Sequence, residues 1–136
     1  MKNYTDLLRA YNLKATPQRI EIASTLDQRG HITIDGLYEV LLNKFNSISL
    51  ATIYKNINIM MEAAFIQEVK IPNAKSVFEL TKESHSHLAC QKCGEVEDID
   101  LDLHTLNSQI EQISHFEVKQ TNLVISGICK NCATIL

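Results

Sequence analysis

The chain has 136 residues, 45% of them hydrophobic and 21% charged, which is the balance of an ordinary globular chain. That length suits one domain or two small modules. It has no apolar run long enough for a membrane helix and no charged-then-apolar start, so a cytoplasmic protein without membrane contact is expected. The net charge of −3 argues against a uniformly basic nucleic-acid binder, but the charge is unevenly spread. Residues 1–80 carry nine Lys/Arg against eight Asp/Glu and residues 81–136 carry four against eight, so any phosphate-binding surface belongs to the first half.

Leu7, Leu8 and Tyr11 predict a short first helix. Thr16-Pro17 supplies a cap and a helix-starting proline for a second helix carrying Ile20, Ile22, Ala23 and Leu26. Gly30-His31 interrupts the pattern. Thr33 then caps a third helix with an apolar stripe of Leu37, Val40, Leu41 and Phe45, in which Gly36 lowers the helical propensity. Ser49 caps a fourth, whose apolar positions are Leu50, Ile53, Ile57, Met60, Met61 and Ala64. Its other face shows Ala51, Thr52, Lys55 and Asn58, with Tyr54 at the margin. That mix suits base edges and phosphates, and equally a plain solvated face.

Residues 65–70 and 76–80 read as two strands around the turn Ile71-Pro72-Asn73-Ala74-Lys75, so helices are followed by a hairpin, the order of a winged helix-turn-helix. After Thr81-Lys82-Glu83 the composition shifts to metal-capable and acidic residues, which divides the chain into 1–80 and 81–136. In the second part, 88–90 and 96–99 read as short strands, 101–113 as a helix, and 116–128 as strand-like alternation. The expected class is α+β.

All four cysteines fall in two CxxC pairs, Cys90/Cys93 and Cys129/Cys132. Each turn presents two thiolates, and two such turns complete a closed tetrahedral Zn²⁺ site with no position left for catalysis, so the predicted metal is structural. The alternative, independent redox dithiols, needs a thioredoxin-like context that this sequence lacks. A second signal is His85-Ser-His87, with Glu79 before it and Asp98 beyond the first cysteine pair. Strand alternation puts the two imidazoles on one face, and with the carboxylates they form a mixed N/O set suited to Fe²⁺ or Mn²⁺. The bland reading is a pair of surface histidines. His104 and His115 lack partners at ligand spacing and read as solvated; the pattern leaves His31 undecided.

With these pieces assembled, the chain resembles the ferric uptake regulator (Fur) family over nearly its whole length. The resemblance is carried by Leu13-Lys-Ala-Thr-Pro-Gln-Arg19, Ile48-Ser-Leu-Ala-Thr-Ile-Tyr-Lys-Asn-Ile57, His85-Ser-His-Leu-Ala-Cys-Gln-Lys-Cys-Gly94 and Gly127-Ile-Cys-Lys-Asn-Cys132. It implies an N-terminal winged-helix DNA-binding domain, a small C-terminal α/β dimerisation domain with a Cys₄ zinc site, and a repressor that binds double-stranded operator DNA as a homodimer. It further implies a regulatory Fe²⁺ or Mn²⁺ held by His31, Glu79, His85, His87 and Asp98. One cation joined to both halves would set the spacing of two recognition helices across the dimer, which must match successive major grooves.

Aspartate at position 98 is typical of the peroxide-responsive branch of that family. In that branch, the resemblance implies, bound Fe²⁺ reacts with peroxide and oxygen is added to ligand histidines, here His31 and His85. Ser86 and Thr121 stand where many family members hold a further metal site, so a third site is not expected. For DNA contact the expected residues are Arg19, Tyr54 and Lys55, with Ser49 and Thr52 beside them. Three other readings remain open: a sensor of iron, manganese or zinc availability on the same fold, a zinc-stapled protein-interaction module, and a metal-dependent hydrolase. The last has little support, because no nucleophile motif or glycine-rich phosphate loop is present, and a non-enzyme is expected.

Overall fold

Side-chain caps start every helix of the first half. In the computed structural model, which describes residues 3–82 and 85–134, Asn3 caps α1 (Tyr4–Ala10), Thr16 caps α2 (Pro17–Arg29), Thr33 caps α3 (Ile34–Lys44) and Ser49 caps α4 (Leu50–Glu62). In each case the side-chain oxygen accepts from an N–H of the first turn that has no partner within the helix. The chain divides into two compact units, Met1–Lys82 and Glu83–Leu136.

In the first unit, Leu8, Ile22, Leu26, Leu37, Leu41, Ile53, Ile57 and Met60 are sequestered from solvent, and Phe65, Ile66 and Phe78 of the hairpin join the same cluster. Each such side chain contributes about 1.5–3 kcal/mol relative to exposure, so this unit has a core of its own. The α4 stripe is narrower than its sequence suggests. Ile53, Ile57 and Met60 are buried, Leu50 in the first turn is exposed, and Ala64 lies past the helix end with φ of 63°.

The hairpin pairs β1 (Ile66–Val69) with β2 (Val77–Leu80) in antiparallel register, Gln67 opposite Glu79. Ile32 adds a bridge on the other edge of β2: its N–H donates to the Phe78 carbonyl (3.2 Å) and accepts the Phe78 N–H on its own carbonyl (2.8 Å). At the hairpin turn, Lys75 pairs with Asp35 in the first turn of α3. Gly36 also has a packing reason to be glycine, since a Cβ there would stand 2.9 Å from Cγ1 of Ile32.

The second unit is a three-stranded sheet ordered β4-β3-β5, with β3 (Ser86–Cys90) antiparallel to β4 (Val96–Ile99) and parallel to β5 (Val124–Gly127). Two expectations are corrected here. The helix expected over 101–113 is α5 (His104–Ser114), which starts late because Leu103 offers no capping oxygen and Asp102 Oδ1 instead accepts the His104 N–H at 2.9 Å. Of 116–128 only β5 is strand, because a parallel partner for β3 has to be reached by a connection across the sheet and the preceding residues serve as that connection. A short helix, α6 (Lys130–Ala133), carries the second cysteine pair.

Among the described residues of this unit only Ser86, His87, Ala89 and Cys90 are buried, and none of them lies in α5. Among the described residues of the whole chain, no helix is long and apolar enough to cross a membrane.

Candidate metal centres

The four cysteines meet at the end of the β3–β5 pair. Cys90 ends β3, Cys93 follows in the turn that Gly94 (φ 80°) closes, and Cys129 and Cys132 flank and occupy α6. One ligand atom from each lies within 4.8 Å of the others, and Cys93 Sγ is 3.8 Å from Cys129 Sγ. A tetrahedron with metal–sulfur bonds of about 2.3 Å has edges of about 3.8 Å, so the spacing fits a single Zn²⁺-sized cation.

The protonation chemistry fits as well. Backbone N–H groups of Cys93 (3.4 Å), Cys129 (3.3 Å) and Lys92 (3.4 Å) point at Cys90 Sγ and lower its pKa to about 6. The neighbouring Cys129 sulfur, burial and the other two thiols push Cys132 up to about 12. Cys93 is also raised: the Glu95 N–H favours its thiolate, but Cys90, burial and Cys129 outweigh it. One negative charge forms readily and further ones are opposed by it, which is the condition a divalent cation relieves.

In the first unit the Ile32–Phe78 bridge sets His31 opposite Glu79 on the alternate face. His31 Nε2 is 2.9 Å from Glu79 Oε2, while Gln67 Nε2 donates to Glu79 Oε1 at 2.6 Å. Glu79 has 0% exposure. A carboxylate so sequestered needs compensation on both oxygens, and a cation is one way to complete it. Sequence reasoning missed Gln67, since only the strand register reveals that it faces Glu79.

In the second unit β3 and β4 pair His87 with Asp98. Asp98 Oδ1 lies 3.4 Å from His85 Nε2 and 3.5 Å from His87 Nε2, and the imidazole centroids are 4.4 Å apart. The structure thus brings these three residues together as an N/O donor group, apart from the thiol cluster in chemistry. His104 and His115 are exposed at the two ends of α5. Thr121 donates a hydrogen bond to Asn107 Oδ1 of α5 (2.7 Å).

On α4, Tyr54 and Lys55 are exposed and Thr52 is half-buried. Ser49 Oγ accepts the Thr52 N–H at 3.1 Å and lies 2.9 Å from the Thr52 hydroxyl, so the cap occupies it. Arg19, at the start of α2, turns to α4: its Nε donates to Asn56 Oδ1 (3.0 Å) and its Nη1 to the Lys14 carbonyl (3.1 Å). Asn56 did not stand out in the sequence, because its place on the side of α4 toward α2 is a matter of packing.

The model of the ferric uptake regulator family matches residues 10–126. The peroxide-responsive repressor PerR of Staphylococcus epidermidis is 32% identical over 92% of this chain and 85% of its own length. The peroxide stress regulator of Campylobacter jejuni has a crystal structure that superposes with a TM-score of 0.73, at 32% identity, over 96% of this chain and all of that one. The ferric uptake regulator of Vibrio cholerae superposes with a TM-score of 0.77, at 30% identity, over 93% of this chain and all of its own. With sequence match and fold shared along most of its length, the chain belongs to the ferric uptake regulator family.

Proposed function

We propose that the chain, a metal-dependent repressor of the ferric uptake regulator family, senses peroxide through oxidation of histidines that hold its regulatory metal. The observation that carries this reading is Asp98 Oδ1 placed beside Nε2 of both His85 and His87. Aspartate at this position is, by the family resemblance, typical of the peroxide-responsive branch, and a relative such as the staphylococcal PerR carries that activity in its name.

In this reading Cys90, Cys93, Cys129 and Cys132 hold a structural Zn²⁺. His31 and Glu79 from the first unit, with His85, His87 and Asp98 from the second, hold Fe²⁺ or Mn²⁺. Bound Fe²⁺ would supply the one electron that cleaves the peroxide O–O bond, chemistry that Mn²⁺ would not supply; over the whole reaction the imidazole loses two electrons to peroxide, one of whose oxygen atoms ends on the ring carbon while the other leaves as water. The chain's own part is to present imidazole carbons of His31 and His85 as the acceptors of one oxygen atom and, once they are oxidised, to lose the metal.

Residues 1–80 then form the DNA-binding domain, reading double-stranded operator DNA with Thr52, Tyr54 and Lys55 of α4 and with Arg19 and Ser49 at its flank. Lysine and arginine there anchor phosphates. Residues 81–136 form the dimerisation domain, and a reducing cytoplasm keeps its thiols available for metal. The dimer reading is supported by apolar side chains that this unit leaves in solvent: Leu106 and Ile110 of α5, Ile113 at 75% exposure, Phe116 at 65% and Ile128 at 52%.

The test is mass spectrometry of the His31 and His85 peptides after loading with Fe²⁺ and exposure to a small dose of hydrogen peroxide, beside a Mn²⁺-loaded sample. One added oxygen on either histidine in the iron sample alone is the expected result. Unmodified histidines in a protein whose DNA binding still follows metal would make it a metal-availability sensor instead.

A further inference from the structure

Arg19 is held at three points. As the third residue of α2 its N–H donates to the Thr16 cap (3.3 Å), its Nε donates to Asn56 Oδ1 (3.0 Å), and its Nη1 to the Lys14 carbonyl (3.1 Å). Asn56 is itself fixed, because its Nδ2 donates to the Thr52 carbonyl one turn earlier on α4 (3.1 Å). That bond decides which end of the amide faces Arg19. Two in-plane acceptors determine the orientation of a planar guanidinium, and among the described residues Nη2 has no acceptor.

We propose that Asn56 is a positioning residue for operator binding, holding the Arg19 guanidinium at the flank of α4 with Nη2 presented to a DNA phosphate. The proposal rests on the reading of α4 as the DNA-facing helix. A free arginine at a protein surface has to surrender its rotamer freedom when it engages a phosphate, whereas here that freedom is already lost in the unbound protein. The gain expected from such prior ordering of one long side chain is roughly three- to tenfold in affinity. Both ends of the Asn56 amide are engaged within the protein, Oδ1 by Arg19 and Nδ2 by the Thr52 carbonyl, so it acts through Arg19.

The experiment is a double-mutant cycle on the full-length, zinc-containing protein with Mn²⁺ present. Binding is measured across salt concentrations to a duplex that the wild-type protein selects from a random-sequence library. Arg19→Ala is expected to weaken binding and to lower the slope of log affinity against log salt by about 0.9, the loss of one phosphate contact. Asn56→Ala is expected to weaken binding roughly three- to tenfold with the slope retained, and to have no further effect in the Arg19→Ala background. Thermal midpoints of all four proteins accompany the titrations. An equal loss from Asn56→Ala in both backgrounds, or a loss that tracks a lowered midpoint, overturns the proposal, because Asn56 would then act on DNA directly or on the fold. An unchanged slope in Arg19→Ala removes Arg19 from the phosphate contacts and the proposal with it, while the DNA-binding reading stands. Failure to select any duplex overturns both.

Discussion

The two units solve the same stability problem with different means. The first closes a core on itself, with fully buried side chains drawn from every one of its helices and from its hairpin. The second buries only Ser86, His87, Ala89 and Cys90 among its described residues and leaves Ile113, Phe116 and Ile128 in solvent. A unit of that size with so little apolar burial needs a metal or a second chain to stay folded. The fold of the second unit therefore depends on what is bound to it far more than that of the first.

Removing the zinc proposed for the four-cysteine cluster is the largest way to break that contrast. Structural zinc contributes about 10–16 kcal/mol to small domains, more than this unit's packing replaces. Cys132→Ser, or exhaustive chelation, is expected to abolish amide hydrogen-exchange protection in β3, β4 and β5 while leaving α2, α3 and α4 protected. Retained protection in the sheet of metal-free protein would contradict the metal's structural role.

The converse test lies in the first unit. Leu37 is fully buried, and Leu37→Ala is expected to cost about 2–5 kcal/mol of that unit's stability in denaturant titration with no change in zinc content. Zinc affinity itself should depend steeply on pH. In the metal-free cluster Cys132 is pushed up to about 12 and Cys93 is raised, so both hold protons at neutral pH that a metal must displace. Affinity therefore rises with pH, by about 1.4 kcal/mol per pH unit for each proton released. Chelator competition at pH 6.5, 7.5 and 8.5 measures it, and a flat profile would refute the proton count.

Smaller again is the effect at the exposed apolar face. Ile110→Asp on α5 is expected to weaken self-association by about 2 kcal/mol, the scale of an interface hot spot, read as a shift toward monomer in sedimentation. Unaltered association would remove this face from the proposed dimer contact.

The same contrast explains what could be read from the sequence. Capping residues and helical stripes are local signals, so Thr16, Thr33 and Ser49 mark their helices well. The paired CxxC spacing announces its cluster because each pair is a local turn. What could not be read is whatever depends on register or on chain crossing. The Ile32–Phe78 bridge joins residues far apart in sequence, and it sets His31 opposite Glu79. Residue pattern alone leaves His31 undecided, and only the family resemblance points to it as a ligand. The alternation over 116–128 does not show that only Val124–Gly127 pairs, in parallel with β3, and Gln67 and Asn56 are bonded to neighbours that only the folded chain supplies.

Gly36 gives the smallest test of how the first unit is tuned. In an isolated helix Gly→Ala gains about 1 kcal/mol, and sequence reasoning alone would recommend the change. Here the new Cβ would meet Ile32 Cγ1 at 2.9 Å, and both Ile32 Cδ1 and Thr33 Oγ1 at 3.3 Å. Ile32 is buried and its backbone is tied to Phe78 on both sides, so it has little room to move away. Overpacking of this kind costs about 1–3 kcal/mol, enough to cancel the gain in propensity. Gly36→Ala is therefore expected to leave stability unchanged or lower it by up to about 2 kcal/mol in denaturant titration, with the loss appearing as faster exchange of the Ile32 and Phe78 amides. A stabilised protein with those amides unchanged would show that Ile32 yields, and that the bridge beside His31 and Glu79 is softer than its packing indicates.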